Sequence, residues 1–221
     1  MNALLLLLQL SDSAFPTGGF AHSSGLEAAA QLGEIQGHGA LFRIVQHSLH
    51  QTTRSALPLL LPAYRAPSRL FELDRLCEAS TTCAVANRAS RVQGRAWLAT
   101  TASTFGSTAL WELRKDLRAS GQPGHLAPLF GVIAHHLDLG SEDPARLFLF
   151  LHLRGLLSSA VRLGLIGPLE AQGIQARFGP LLESLCARAR SFTEDDLATT
   201  APLLDVFQSH HDRLYSRLFS S

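Results

Sequence analysis

The sequence predicts an all-α protein, a single compact domain of roughly ten helices. Three observations predict it. Apolar residues recur at spacings of three and four almost throughout, the period of a helix with a buried face. Alternating strand patterns and Asn-Gly or Asp-Gly hairpin turns are not found. The breaks leave short connections, with no linker, repeat or low-complexity tract in the 221 residues.

Met1 to Leu10 contains a leucine run, Leu4 to Leu8, that looks like the apolar part of a secretory signal. No basic residue precedes it and no A-x-A pattern follows, so a buried first helix is expected instead. Phe15-Pro16-Thr17-Gly18-Gly19-Phe20 is a turn-rich stretch. Leu41, Ile44, Val45, Ser48, Leu49 and Thr52 mark an amphipathic helix, as do Leu70, Leu73, Leu76 and Cys77, and later Leu181, Leu182, Leu185, Cys186 and Ala189. Further breaks are expected at Pro58 to Pro67, Gly121 to Gly124, Gly140 to Pro144, Gly167-Pro168 and Gly179-Pro180. Glu142-Asp143-Pro144 and Thr193-Glu194-Asp195-Asp196 read as helix starts, with acids at the positive end of the helix.

The helix expected from Ala145 to Leu165 is apolar around nearly its whole circumference, so it needs cover on every side. That need suggests a dimer through this helix or its neighbours. Its polar stripe is Arg154, Ser158 and Arg162, four residues apart. Their guanidiniums either reach water along one seam or meet internal or partner carboxylates.

Hydrophobic residues make up 46% of the chain and charged residues only 17%, against about 25% in an average protein. A surface so poor in charge suggests that a partner covers part of it. Nineteen basic against eighteen acidic side chains give a net charge of +1, which offers no general reason to bind nucleic acid or anionic lipid. No apolar run approaches the ~18 residues of a membrane span; His152 and Arg154 interrupt the best stretch, Leu147 to Leu157. Cys77, Cys83 and Cys186 have no C-x-x-C spacing, and a reducing, cytoplasmic setting is expected.

The sole lysine, Lys115 in Leu113-Arg114-Lys115-Asp116, has no P-loop around it, so nucleotide hydrolysis is excluded. No H-E-x-x-H occurs. Ala21-His22-Ser23-Ser24-Gly25 approximates the nucleophile elbow of serine hydrolases, with Ser23 as the alternative catalytic residue. It follows a Pro-Gly-Gly loop rather than a strand, and Ser23 or Ser24 more simply caps the helix through Leu26, Ala29 and Ala30. His47 and His50 are three apart, but no third metal ligand stands at suitable spacing, and ordinary packing accounts for them. Arg88, Arg91 and Arg95 form a ridge that reads as a solvated helix face. Gly94 inside that helix costs about 1 kcal/mol relative to Ala, which close approach of another backbone would justify at a packed or interface position.

Toward the C-terminus, Leu203, Leu204, Phe207, His211, Leu214 and Leu218 form an apolar stripe. A last helix is expected through Arg213, Tyr215, Arg217, Leu218 and Phe219, residue types enriched at interface anchors. It either docks on its own core or meets a partner. The candidate partner-interface residues are these five with Arg162, Gly94 and Arg95; no catalytic, cofactor or metal residue is assigned.

Several motifs resemble those of the urease accessory protein UreF family. Leu8-Gln9-Leu10-Ser11-Asp12-Ser13-Ala14-Phe15-Pro16-Thr17-Gly18-Gly19-Phe20-Ala21-His22-Ser23-Ser24-Gly25-Leu26-Glu27 is similar to its opening signature. Arg88-Ala89-Ser90 with Gln93-Gly94-Arg95, then Phe130-Gly131 and Ala160-Val161-Arg162-Leu163, match its central segments. His211-Asp212-Arg213-Leu214-Tyr215-Ser216-Arg217-Leu218-Phe219 looks like its closing motif. Two departures are Gly167-Pro168 in place of Gly-Gln and Asp212 in place of Glu. The resemblance implies a cytoplasmic, all-helical, non-catalytic chaperone for nickel insertion. It implies a homodimer that binds the accessory protein UreD (UreH) and recruits the GTPase UreG to apo-urease. Nickel would transit that assembly, with no cofactor bound by this chain alone.

Overall fold

The computed structural model describes residues 2–16 and 18–221. Among them are eleven α-helices and no strand. They are α1 (Ala3–Leu10), α2 (Leu26–Gln31), α3 (Gly37–Ser55), α4 (Leu57–Arg65), α5 (Leu70–Ser80), α6 (Ala84–Phe105), α7 (Thr108–Ala119), α8 (Leu126–His136), α9 (Asp143–Arg162), α10 (Pro168–Ala189) and α11 (Pro202–His210). One hydrophobic core draws residues from each of α1 to α10. The all-α expectation holds.

At the centre α4, α8 and α9 pack together. Every residue of α4 from Leu57 to Ala63 is buried, as is every residue of α8 from Ala127 to Ala134. The two helices cross in backbone contact, because a Cβ on Gly131 would lie 2.1 Å from the Leu60 carbonyl oxygen. No residue of α9 is exposed. Its cover comes from α2, α3, α4, α8 and α10 of the same chain. The apolar circumference of α9 is therefore satisfied internally and gives no physical ground for a dimer.

Two expected breaks are not breaks. Pro58 stands in the first turn of α4, where its missing N–H costs nothing, and Pro62 lies inside that helix. Pro180 likewise lies inside α10, which runs on to Ala189. An interior proline costs about 3 kcal/mol in a lone helix. Here the buried faces, Leu57 to Ala63 in α4 and Ile174, Phe178, Leu185 and Ala189 in α10, continue in helical register across it and outweigh that cost.

Three other expectations need correction. α1 is half exposed, burying Leu6 and Leu10 while Leu4, Leu5 and Leu8 face outward. Thr193 opens only a 3-10 turn, Glu194–Asp196, closed by a reciprocal capping box with Asp196. The chain after α11 makes a 3-10 turn, His211–Arg213, and then runs without helix through 214–221. Acceptors elsewhere in the chain take its N–H groups. Leu218 and Phe219 donate to the Glu27 carboxylate, and Ser220 donates to the Ala21 carbonyl.

Candidate functional site

The conspicuous polar construction of the molecule is the seam where the loop 11–25 meets the strap 211–221. Loop geometry starts it. Gly18 and Gly25 both have positive φ, at 76° and 86°, and Gly25 also lies under α11, where a Cβ would be 3.1 Å from Gln208 N. Gly25, with no side-chain cap, is the N-cap of α2, so neither Ser23 nor Ser24 caps it. Phe15 anchors the loop edge-on to Trp97 at 5.5 Å, and Thr100 donates to the Pro16 carbonyl at 2.8 Å.

The polar stripe of α9 holds this loop from below. Arg154 donates to the Ser11 carbonyl and Arg162 to the Phe20 carbonyl. Both guanidiniums lie along a half-buried seam and take backbone carbonyls, rather than carboxylates, as their acceptors. Arg162 also stands between two rings, 3.8 Å from the Phe20 centroid and 4.1 Å from that of Phe219. A guanidinium between aromatic faces gains cation–π attraction on both sides.

Glu27 is the buried acceptor beneath the strap, 1% exposed. Its Oε1 receives the Leu218 N–H at 2.6 Å and its Oε2 the Phe219 N–H at 3.3 Å. The fully buried His211 ring brings Nε2 to 3.4 Å from the same carboxylate, without hydrogen-bond geometry at either ring nitrogen. Ser23 N–H donates to the Ser221 carbonyl at 2.6 Å, and Gln31 to the Ser216 carbonyl at 3.0 Å. Burial, and then the neighbouring His211, push the His22 imidazole below its ordinary pKa. Outside this pocket Asp212 accepts both Arg88 bonds, at 2.8 and 2.7 Å, and the guanidinium holds its carboxyl below the usual range.

The expected site residues divide between inside and outside. Phe219 and Gly94 are buried, and Arg162 is half buried. Arg213, Tyr215, Arg217, Leu218 and Arg95 are exposed. Tyr215 is fully exposed and Leu218 is 53% exposed, while Leu203 and Val206 project from α11 nearby in sequence. The strap thus joins Arg162 to Phe219. Gly94 and Arg95 belong to a different junction, where a Cβ on Gly94 would lie 2.4 Å from the Gly124 carbonyl oxygen. There Asp74 accepts the Gly124 and His125 N–H groups at 2.8 and 2.7 Å, ahead of α8. The Arg88, Arg91 and Arg95 ridge is not merely solvated: it reaches Asp212, Glu78 and the Gln122 carbonyl respectively.

Sequence reasoning passed over Glu27, His211 and His22 as a set. The available signal was a carboxylate set among Leu26, Ala28 and Ala29, all buried. The elbow reading fails on geometry, since Ser23 is fully buried, its hydroxyl has no partner, and a loop rather than a strand precedes it.

Beneath the loop lies a cleft of 730 Å³ lined by Phe15, Trp97, Phe130, Phe148 and His152. A second of 420 Å³ adjoins it and shares His22, Ser24, Gln93 and His152. Among the described residues no cluster of three histidine, cysteine or carboxylate side chains could hold a metal ion, and no helix is long and apolar enough to cross a membrane.

Residues 35–179 match the UreF family model. The chain is 36% identical over 217 residues to urease accessory protein F of Arabidopsis thaliana, covering 96% of this chain and 90% of that protein. It is 31% identical over 227 residues to urease accessory protein UreF of Bacillus sp. (strain TB-90), covering both chains completely. It is 30% identical over 228 residues to a UreF-like urease accessory protein of Schizosaccharomyces pombe, covering 98% of this chain and 96% of that protein. Matches of that length and coverage show that the chain belongs to the UreF family of urease accessory proteins.

Proposed function

We propose that this chain works in urease maturation as a non-catalytic cytoplasmic scaffold. It binds a UreD (UreH) type accessory protein, and the pair recruits the GTPase UreG to apo-urease, with nickel passing through the assembly as cargo. Family membership supports the role in urease maturation. The observation that carries the scaffold reading is the strap. Its inner side is tied down by Glu27, Arg162 and the Ala21 to Ser23 backbone, while its outer side offers Tyr215, Leu218, Arg213 and Arg217. Side chains of those types are common interface anchors, and a backbone already held in place leaves less to order when a partner covers them. Homodimer formation belongs to the same proposal, and the outward leucines of α1 are available to it.

The test is co-purification with the UreD-type protein, then with UreG and apo-urease added. Tyr215→Ala combined with Leu218→Asp should abolish retention of the UreD-type partner while the circular dichroism and melting temperature stay unchanged, because both side chains are exposed. Full-strength retention by that variant would overturn the strap as the docking surface. GTP hydrolysis by the purified chain above a heat-treated control would overturn the non-catalytic reading.

A further inference from the structure

On the side of α3 where it meets α10 lies a pocket of 370 Å³ whose charged or titratable lining residues are all basic, with Thr53 and Thr200 as neutral polar neighbours. His47, His50 and Arg54 enter from α3 and Arg188 from the last turn of α10, with Thr200 and Ala201 at the rim. No carboxylate lines it. Elsewhere several arginines are paired, Arg69 with Glu72 and Glu194, Arg88 with Asp212, Arg146 with Glu142 and Glu183. Arg188, His47 and His50 have no hydrogen bond or ion pair among the described residues, although they share one concavity.

Arg54 is fixed in place, with its guanidinium 4.9 Å from the Phe192 centroid and Nη1 3.5 Å from Asp196, which lies outside the lining. Leu185 and Phe192 form the apolar floor, which lowers the local polarity and strengthens any charge interaction above it. At the rim the Thr200 and Ala201 N–H groups, just ahead of α11, donate to the Gln51 side-chain oxygen at 2.5 and 2.9 Å, which fixes that edge of the pocket. The like charges act on one another. Burial first, then Arg188 and His47, hold the His50 imidazole below its ordinary pKa.

We propose that this pocket binds a small oxyanion of the phosphate type. The Arg188 guanidinium, with that of Arg54 shared with Asp196, offers planar N–H groups that suit tetrahedral oxygens. The His47 and His50 imidazoles add ring nitrogens that can donate. The ligand is either free inorganic phosphate or the phosphoryl group of a nucleotide, and the chemistry recognised is the same. This inference rests on the pocket alone and does not depend on the strap or on urease.

Phosphorus NMR line broadening and calorimetric titration of the full chain, in low-salt buffer, test it with inorganic phosphate and with adenosine monophosphate as probes. Saturable phosphate binding is expected beyond that of chloride at matched ionic strength. Arg188→Ala should weaken it about tenfold, the loss of one charge-assisted contact. His47→Ala with His50→Ala should weaken it as well. Tighter binding of the nucleotide supports a phosphoryl ligand, and equal or weaker binding supports free phosphate. Absence of saturable phosphate binding overturns the proposal, as does binding that Arg188→Ala leaves unchanged in a variant with native circular dichroism.

Discussion

At the α4–α8 crossing two backbones touch, and nothing larger than a hydrogen fits at Gly131. At the strap, by contrast, a few polar groups hold an extended segment across a loop. One buried carboxylate takes two N–H groups there and one guanidinium sits between two rings. Shape decides the first contact and a handful of specific bonds decides the second. The crossing can tolerate no added atom, whereas the strap can be loosened bond by bond without disturbing the core. That difference suits the proposed role, in which a fixed centre carries an edge that meets other proteins.

The sharpest way to break the comparison is Gly131→Ala. The added methyl meets the Leu60 carbonyl oxygen and, at 2.9 Å, Tyr64 N, so α4 and α8 must separate. A loss of about 3 kcal/mol or more is expected in urea unfolding. A loss below about 1 kcal/mol would show that the crossing yields easily.

The core has one polar weakness, and pH finds it. His152 on α9 lies beside the Ser48 and Thr52 hydroxyls of α3, at 2.8 and 3.0 Å, and burial pushes its pKa down to about 4. In the unfolded chain it titrates near 6.5, so the unfolded state takes up the proton first. Stability is therefore lost as pH falls from about 6.5 to about 4, by about 3 kcal/mol when complete. His152→Gln should flatten that part of the profile. An identical slope in the variant would assign the acid sensitivity elsewhere.

For the strap, Glu27→Ala removes the acceptor of Leu218 and Phe219 and should cost about 2 kcal/mol. Its specific signature is amide exchange, faster at Leu218 and Phe219 while the α8 amides stay protected. Uniform exchange across both regions would join strap and core into one cooperative unit. The smallest effect belongs to Arg88→Ala, which breaks an exposed pair with Asp212. It should change the melting free energy by less than about 0.5 kcal/mol. A larger value would promote that contact from rim to anchor.

The helical period disclosed the fold because it is a local property, readable wherever an apolar face repeats. Gly94 was legible for the same reason, since a glycine inside a helix asks for a neighbouring backbone, and Gly124 to Leu126 supply it. Pro62 and Pro180 were misread because a local breaking signal was outweighed by burial on both sides of it. The tail was misread as helix because the bonds that keep it extended come from Glu27 and Ala21, which no local pattern links to Leu218 or Ser220. Arg162 has the same character. Its spacing told only that a charge lay on an apolar helix, and its carbonyl and ring partners come from two distant segments.

The Glu27 to Leu218 bond joins residues 191 positions apart. During synthesis the loop 11–25 and the helix α2 emerge early, and Glu27 has no strap to receive until residues 211–221 have left the ribosome. Every core residue from α1 to α10 precedes the strap, so the core can assemble before the two partners meet. Closing so long a chain segment adds only slowly to the entropic cost with length, so the late arrival is tolerable. The strap is therefore finished last. A chain stalled or cut short before residue 211 carries an assembled helical centre but leaves Glu27 without the two N–H groups it accepts.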